Sequence, residues 1–366
     1  MADPHLQDPD DQEFMRRALD LAERGWGRVS PNPLVGAVVV QGGRIVGEGW
    51  HREYGAPHAE VEALRSAGEL ARGARLYVTL EPCSHSGKTG PCTSAIREAG
   101  IATVVFAARD PNPLAGGGGA VLRSAGLEVR SGVEEAAARA LNAPFFHAYL
   151  PDQPRIPWTE LKLALSLDGR VADSMGRSAW ITGEEARAEV HRLRAGADAV
   201  AIGVGTAMAD DPLLTTRGPF TPRNPPVRVV FDRKLSTPAE GRLARTAIEI
   251  PLWVICAPDA PIDNRRRLEA MGAMIIEAPD LRGSFLALGN QGIRSLLCEG
   301  GAHFASALLR EDLVDRLSFF FSPLFLGGQG ADPFRELTSP PLADAYRWNH
   351  LSTRVFGADT LITLER

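Results

Sequence analysis

Residues 76–100 read Leu76-Tyr-Val-Thr-Leu-Glu-Pro-Cys-Ser-His-Ser-Gly-Lys-Thr-Gly-Pro-Cys-Thr-Ser-Ala-Ile-Arg-Glu-Ala-Gly100. The apolar run Leu76–Leu80 has the composition of a buried strand and is stopped by Pro82. Cys92–Ala99 reads as a helix that opens after Pro91 and is closed by Gly100. One cysteine therefore stands where the strand ends and another where the helix begins, with eight residues between them. A third ligand type comes from His58-Ala59-Glu60, which follows Gly55-Ala56-Pro57 and opens a helical pattern that runs to Ala67 and stops at Gly68. Residues two apart on a helix do not face the same way, so His58 and Glu60 serve one site only if both lie in the first turn.

Working outward, residues 12–24 read as a helix with Phe14, Met15, Ala18, Leu21 and Ala22 on one face. Val35–Val40, the Gly42-Gly43 turn and Arg44–Gly47 read as a hairpin. Thr103–Ala107 reads as a buried strand, followed by a helix over 119–125, a strand over 127–130 and a helix over 133–147. Such alternation predicts a layered α/β domain over residues 1–148. Residues 149–157 hold three prolines, which bar helix and predict an extended linker. Over 158–366 the alternation resumes, with strands at 158–165, 198–203, 227–231, 252–257, 273–277 and 294–298, and helices at 183–195, 262–271 and 302–310. Leu317–Phe321 and Thr360–Leu364 are strand-like, so a second α/β domain with a mixed sheet is expected.

Composition is that of an ordinary globular protein, with 44% hydrophobic and 23% charged residues over 366 positions. That length predicts two domains. Forty Lys and Arg against 45 Asp and Glu leave a net charge of −5, without the basic excess of a nucleic-acid binder. The polar, acidic start (MADPHLQDPDDQE) lacks a signal-peptide pattern, and no apolar run reaches the ~20 residues of a bilayer span. A cytoplasmic protein with no membrane or nucleic-acid partner is expected. Four cysteines do not make a disulfide scaffold; in a reducing compartment clustered ones are metal ligands or nucleophiles.

One imidazole and two thiols suit zinc, and three protein ligands leave the fourth position for water. Glu60 is the candidate proton shuttle, because zinc deaminases of bases carry H-x-E followed by P-C-x-x-C, with the glutamate as acid/base and not as ligand. Here P-C-x8-C replaces the shorter spacing. Gly87-Lys88-Thr89 is not a P-loop, since Pro82 stands where the first glycine is required. In the second half, Cys298-Glu-Gly-Gly-Ala-His303 reads as strand, glycine pair and helix start, an arrangement that lets backbone amides approach a phosphate.

These stretches resemble the bifunctional riboflavin-biosynthesis deaminase/reductase family. Matching segments are Pro31-Asn-Pro-Leu-Val-Gly36, His58-Ala-Glu60, Thr79-Leu-Glu-Pro-Cys-Ser-His85, Gly87-Lys-Thr-Gly-Pro-Cys92 and Asp110-Pro-Asn-Pro113. In the second half they are Leu161-Lys-Leu-Ala-Leu-Ser-Leu-Asp-Gly169, Trp180-Ile-Thr182, Ala209-Asp-Asp-Pro212 and Glu299-Gly-Gly301. The resemblance implies a cytidine-deaminase-like three-layer domain followed by a dihydrofolate-reductase-like domain. It implies zinc on His58, Cys83 and Cys92, Glu60 as the catalytic acid/base, and NADPH as second cofactor. The reaction pair it implies is hydrolytic deamination of a diaminopyrimidinone ribosyl phosphate, then reduction of the ribosyl chain to ribityl.

Asn32, His51, Lys88 and Asn112 are candidates for the base or phosphate, against plain turn chemistry for Asn32 and Asn112. For NADPH the resemblance implies Ala164, Trp180, Thr206, Asp210 and Gly301 with the segment to Ala307; Trp180 reads equally as core. For the substrate it implies Ser178, Arg194, Leu214, Arg217 and Glu299, the two arginines suiting an oxyanion. Lys162 and Asp168 are further candidates, and the reductase proton source is left among Asp210, Lys162 and water. A homodimer through the second domain is also implied. The alternative reading is a zinc deaminase of another nucleobase or nucleotide whose second half is a non-catalytic binding module.

Overall fold

The structure, a computed structural model, describes residues 9–85, 90–151, 155–178 and 181–366. The chain forms two compact units, Met1–Asp152 and Gln153–Arg366. In the first, helix α1 (Pro9–Glu23) precedes the hairpin β1 (Gly36–Gln41) and β2 (Arg44–Trp50). Helix α2 (Ala59–Ala67), β3 (Arg75–Leu80), α3 (Cys92–Glu98), β4 (Thr103–Ala108), α4 (Gly118–Ser124) and β5 (Glu128–Ser131) follow, then α5 (Glu135–Leu141) and α6 (Ala143–His147).

The sheet order is β2-β1-β3-β4-β5. Strand β1 runs antiparallel to both neighbours, and β3, β4 and β5 are mutually parallel. Alternation along the strands builds three layers. Ala37, Val39, Leu76, Val78 and Val104 face α2, α3 and α4 through Ala63, Ile96 and Leu122. Val38, Tyr77 and Val105 face α1 and the last two helices through Met15, Leu21 and Phe146. At Gly49 an added Cβ would collide with the Ala63 backbone, so this glycine lets α2 lie directly on β2. The helix expected over 133–147 is broken. The buried Asn142 side chain accepts from the Leu34 amide at 2.7 Å and donates to the Leu34 carbonyl at 2.9 Å, and Pro144 then begins the next helix.

The second unit holds β6 (Trp158–Ser166), α7 (Glu184–Gly196), β7 (Ala199–Gly203), α8 (Val204–Asp210), β8 (Val227–Phe231), α9 (Arg242–Arg245), β9 (Leu252–Cys256), α10 (Ile262–Ala270), β10 (Met274–Glu277), α11 (Leu281–Asn290), β11 (Ser295–Glu299), α12 (Ala302–Arg310), β12 (Arg316–Ser322), β13 (Asn349–Phe356) and β14 (Asp359–Glu365). Its nine strands lie in the order β10-β9-β8-β7-β11-β6-β12-β14-β13. The first seven are parallel, β14 runs antiparallel to both β12 and β13, and the mixed sheet expected results. One face packs Leu161, Leu163 and Leu165 against α11 and α12. The other packs Val200, Val230 and Val254 against α9 and α10, and Leu297 and Phe320 against α7. Along β6 the side chains on that second face, Lys162 and Ala164, are only half-buried. No helix among the described residues is long and apolar enough to cross a membrane.

Candidate metal centre and second candidate site

Three elements of the first unit aim donors at one point beyond the end of β3. His58 is the N-cap of α2, with extended backbone (φ −71°, ψ 160°), so its ring leaves the helix axis while Glu60 sits in the first turn. Cys83 lies in the loop after β3, and buried Cys92 is the first residue of α3. His58 Nδ1 is 3.2 Å from Cys92 Sγ and 3.6 Å from Cys83 Sγ. The Cys92 amide donates to Cys83 Sγ at 3.4 Å, and the three ligand atoms all lie within 4.8 Å of one another. Among the described residues no other cluster has metal-ligand spacing.

The electrostatics follow from burial. Glu60 is buried, and desolvation holds its carboxyl above the ordinary value, against the His58 charge that lowers it. The Cys83 thiol is held low, to about 4, first by the hydrogen bond from Cys92 and then by that from His58. The Cys92 thiol is pushed up in consequence. One thiolate is thus favoured by the fold itself, as a ligand set for a soft divalent cation requires.

Around the cluster, His51 Nδ1 lies 3.1 Å from the Pro57 carbonyl and Nε2 lies 3.1 Å from Asn32 Nδ2. A carbonyl only accepts, so Nδ1 carries the proton. Burial, with the charge of His58, holds His51 below its ordinary value and so neutral. Its Nε2 then accepts from the Asn32 amide, which leaves Asn32 Oδ1 as an acceptor. Asn112 Oδ1 accepts from the Leu114 amide at 3.0 Å, the turn chemistry weighed for it above. Lys88 lies outside the described residues.

Two carboxylates that sequence reasoning passed over complete this side. Asp110 is pushed up to about 6, first by burial and also by the negative charges of Glu81 and Cys83. Glu81 accepts from the Gly119 amide at 2.9 Å and the Asp110 amide at 3.3 Å. The signal for both was their place inside quoted motifs, one residue from Pro82 and Pro111 respectively.

In the second unit the candidates gather at the C-terminal ends of the parallel strands, where open α/β sheets bind ligands. Glu299 ends β11 and is in register with Lys162 on β6. Arg194, from α7, grips Glu299 bidentately (Nε–Oε1 2.5 Å, Nη2–Oε2 2.9 Å), and its third nitrogen donates to the Thr215 carbonyl at 3.0 Å. Burial works to raise Glu299, but Arg194 and Lys162 outweigh it and hold the carboxyl low. Burial also lowers Lys162, against the opposing charge of Glu299.

Thr206 Oγ1 accepts from the Gly301 amide at 3.1 Å, which brings these two cofactor candidates together at the start of α12. Ser178 hydrogen-bonds Asp210, whose carboxyl partial burial raises. Ala164 lies on the half-buried face of β6, two residues beyond Lys162. Leu214 has a left-handed backbone (φ 54°), and its side chain is buried in the core, so only its main chain is available to a substrate. Arg217 is exposed. Asp168 accepts from Ser166 Oγ and from the Leu326 and Gly327 amides, so it ties two loops together. Trp180 lies outside the described residues. His191, one turn before Arg194 on α7, was missed; its recognisable signal was helical spacing from an arginine already singled out.

Two family models match: the cytidine and deoxycytidylate deaminase zinc-binding region over residues 8–108, and the RibD C-terminal domain over residues 157–362. The riboflavin biosynthesis protein RibD of Bacillus amyloliquefaciens is 41% identical over 87% of this chain and 86% of its own length. The solved structure of Acinetobacter baumannii RibD, form 1, matches with a TM-score of 0.82 and 37% identity, covering 97% of this chain and 98% of that one. The solved diaminohydroxyphosphoribosylaminopyrimidine deaminase/5-amino-6-(5-phosphoribosylamino)uracil reductase of Thermotoga maritima matches with a TM-score of 0.83 and 36% identity, covering 99% of both chains.

Proposed function

We propose the residue roles below from the premise that this chain belongs to the RibD family, the bifunctional deaminase/reductases of riboflavin biosynthesis. The enzyme removes the amino group of 2,5-diamino-6-(5-phosphoribosylamino)pyrimidin-4-one by hydrolysis and then reduces the ribosyl chain to ribityl with NADPH. The observation that carries the reading is the convergence of His58 Nδ1, Cys83 Sγ and Cys92 Sγ within 4.8 Å, with buried Glu60 two residues from the imidazole.

His58, Cys83 and Cys92 hold zinc; their imidazole and thiolates are its preferred donors, and a three-ligand set leaves a position for substrate water. When bound, zinc supplies Lewis acidity and makes that water acidic near neutral pH. Glu60 takes the proton of the attacking water and delivers it to the departing amino nitrogen. Its burial suits this role, because a raised carboxyl pKa makes both transfers accessible near neutrality. Asn32, oriented by His51, offers Oδ1 to an N–H of the base.

In the second unit, Ala164, Thr206, Asp210 and Gly301 serve the cofactor, with Trp180 assigned to it by the family resemblance alone, and Ser178, Arg194, Leu214, Arg217 and Glu299 serve the substrate. NADPH, when bound, supplies the hydride. The Thr206–Gly301 hydrogen bond sets the start of α12, whose N-terminal partial charge favours a pyrophosphate. Arg217 is exposed and takes the substrate phosphate. The hydride goes to the anomeric carbon as its bond to the ring oxygen breaks, and Lys162, lowered by burial and held beside Glu299, is the proton source for that oxygen; Asp210 is engaged by Ser178. The proposal includes a cytoplasmic setting, supported by four cysteines used as thiols or metal ligands and not as disulfides, and a homodimer through the second unit. The dimer is supported by the edge strand β13, which leaves Val355 70% exposed.

One assay tests the reading. Ammonia and NADPH are followed together on the diaminopyrimidinone ribosyl phosphate. Ammonia release should precede NADPH oxidation, and the two should reach equal yield. NADPH oxidation without ammonia, or ammonia release by zinc-free protein, would refute it.

A further inference from the structure

The zinc ligands and Glu60 do not account for one carboxylate beside them. Glu81 directly follows β3 and stands immediately before Pro82-Cys83. Its backbone amide continues the β3–β4 pairing by donating to the Ala108 carbonyl at 2.9 Å, so the residue itself is fixed to the sheet. Its side chain reaches sideways. One carboxylate oxygen accepts the Gly119 amide at 2.9 Å and the other the Asp110 amide at 3.3 Å. These amides open α4 and the segment after β4, so one carboxylate joins both ends of residues 110–119 to the root of the metal loop.

The rest of the segment is built on the same contact. The Ser84 amide and hydroxyl donate to the Ala115 and Gly116 carbonyls at 3.3 and 3.1 Å. An added Cβ on Gly118 would collide with the Pro82 carbonyl, so the start of α4 rests on the Cys83 loop itself. Within the segment, Asp110 Oδ1 accepts the Asn112 amide at 2.9 Å, which makes the position of Asn112 follow that of Asp110. The contacts of Ser84 and Pro82, on either side of Cys83, thus keep this segment beside the loop that carries one of the metal ligands. A charged two-oxygen acceptor meeting two backbone donors is the strong form of such a clamp.

We infer that Glu81 is a positioning residue of the deaminase: its two oxygens hold residues 110–119, with Asp110 and Asn112, against the His58–Cys83–Cys92 cluster and so shape the face that receives the pyrimidine. It touches neither metal nor substrate. The inference rests on the deaminase reading above and adds to it a determinant of substrate binding.

The test uses the full-length zinc-loaded chain with Glu81→Ala and Glu81→Gln. Glutamine has the same shape but only one acceptor, so it leaves one of the two amides facing an N–H. If Glu81 merely filled space, glutamine would restore wild-type behaviour. The expected result is a rise in the deaminase KM of ~10-fold or more in both variants, with kcat within ~3-fold. One zinc per chain should be retained, which reports the fold of the first unit, and the reductase of the same chain should be unchanged. Backbone amides over 109–120 should exchange with deuterium at least ~10-fold faster in Glu81→Ala. An unchanged KM, restoration by glutamine, or loss of zinc together with kcat would overturn the inference. Absence of ammonia release in the wild type would instead defeat the deaminase reading; unchanged exchange over 109–120 would then still overturn the clamp.

Discussion

The two clusters are built on opposite electrostatic plans. In the first unit, one imidazole and two thiols converge, and a buried carboxyl stands by. In the second, partly buried Arg194 and Glu299 already pair with each other, with Lys162 in register beside Glu299. A ligand set of the first kind is completed by a cation and fails when any donor is lost. A charge set of the second kind is complete in the protein alone, so removing one member harms the fold as well as the chemistry.

That contrast is broken most severely at the cysteines. Cys83→Ser or Cys92→Ser should abolish stoichiometric zinc and cut ammonia release by about 10⁴-fold or more, with NADPH oxidation on the deaminated substrate within ~2-fold. Metal analysis alongside both assays checks this; parallel loss of both activities would mean that the units are not chemically separate. Glu60→Gln should keep the zinc and lower ammonia release by ~10²–10⁴-fold, which single-turnover kinetics would register.

The second unit answers differently. Glu299→Ala leaves Arg194 and Lys162 without their counter-charge and should destabilise that unit by about 3–5 kcal/mol, visible in urea unfolding. Arg194→Lys keeps the charge but loses the fork, and should weaken substrate binding with a smaller stability loss. Ammonia release should survive both changes.

The smallest effect is in pH dependence. His51 has its folded value below the ordinary 6.5, so its contribution is present above that pH and fades as acid protonates the ring, which also removes the acceptor that orients Asn32. Glu299 has its folded value below the ordinary 4.5, so the Arg194 pair persists until the pH falls below that figure. The deaminase KM should therefore rise on acidification before the reductase is affected. Initial rates of the two reactions in matched buffers check the order, and a reductase that failed first would contradict it.

The metal cluster was legible in the sequence because each donor is a rare residue beside a proline or a helix start, and local chemistry there fixes direction. His58 as the N-cap of α2 shows this: Pro57 and the following apolar pattern already set where the helix begins. The fold was legible wherever periodicity was strong. Helices α8 and α11 were not anticipated, since Gly205, Gly283 and Gly289 interrupt their patterns. Strand β13 escaped because an exposed edge strand buries neither face and so shows no alternation. The reductase cluster became readable only through resemblance. Lys162, Arg194 and Glu299 are far apart in sequence, and only the parallel pairing of β6 with β11 brings two of them together. Leu214 shows a further limit, because what it can offer is a backbone turned by a positive φ, while its side chain belongs to the core. Arg228, fully buried with its guanidinium bonded to Thr246 and the Ile250 carbonyl, had no sequence signal as a core residue.

X-ray absorption at the zinc edge of the full-length protein reads the central arrangement most directly. The expected spectrum shows two sulfurs at ~2.3 Å, one imidazole and one further light atom that exchanges with solvent or inhibitor. A third or fourth sulfur, or a light-atom shell that no small molecule displaces, would contradict an open three-ligand site at His58, Cys83 and Cys92.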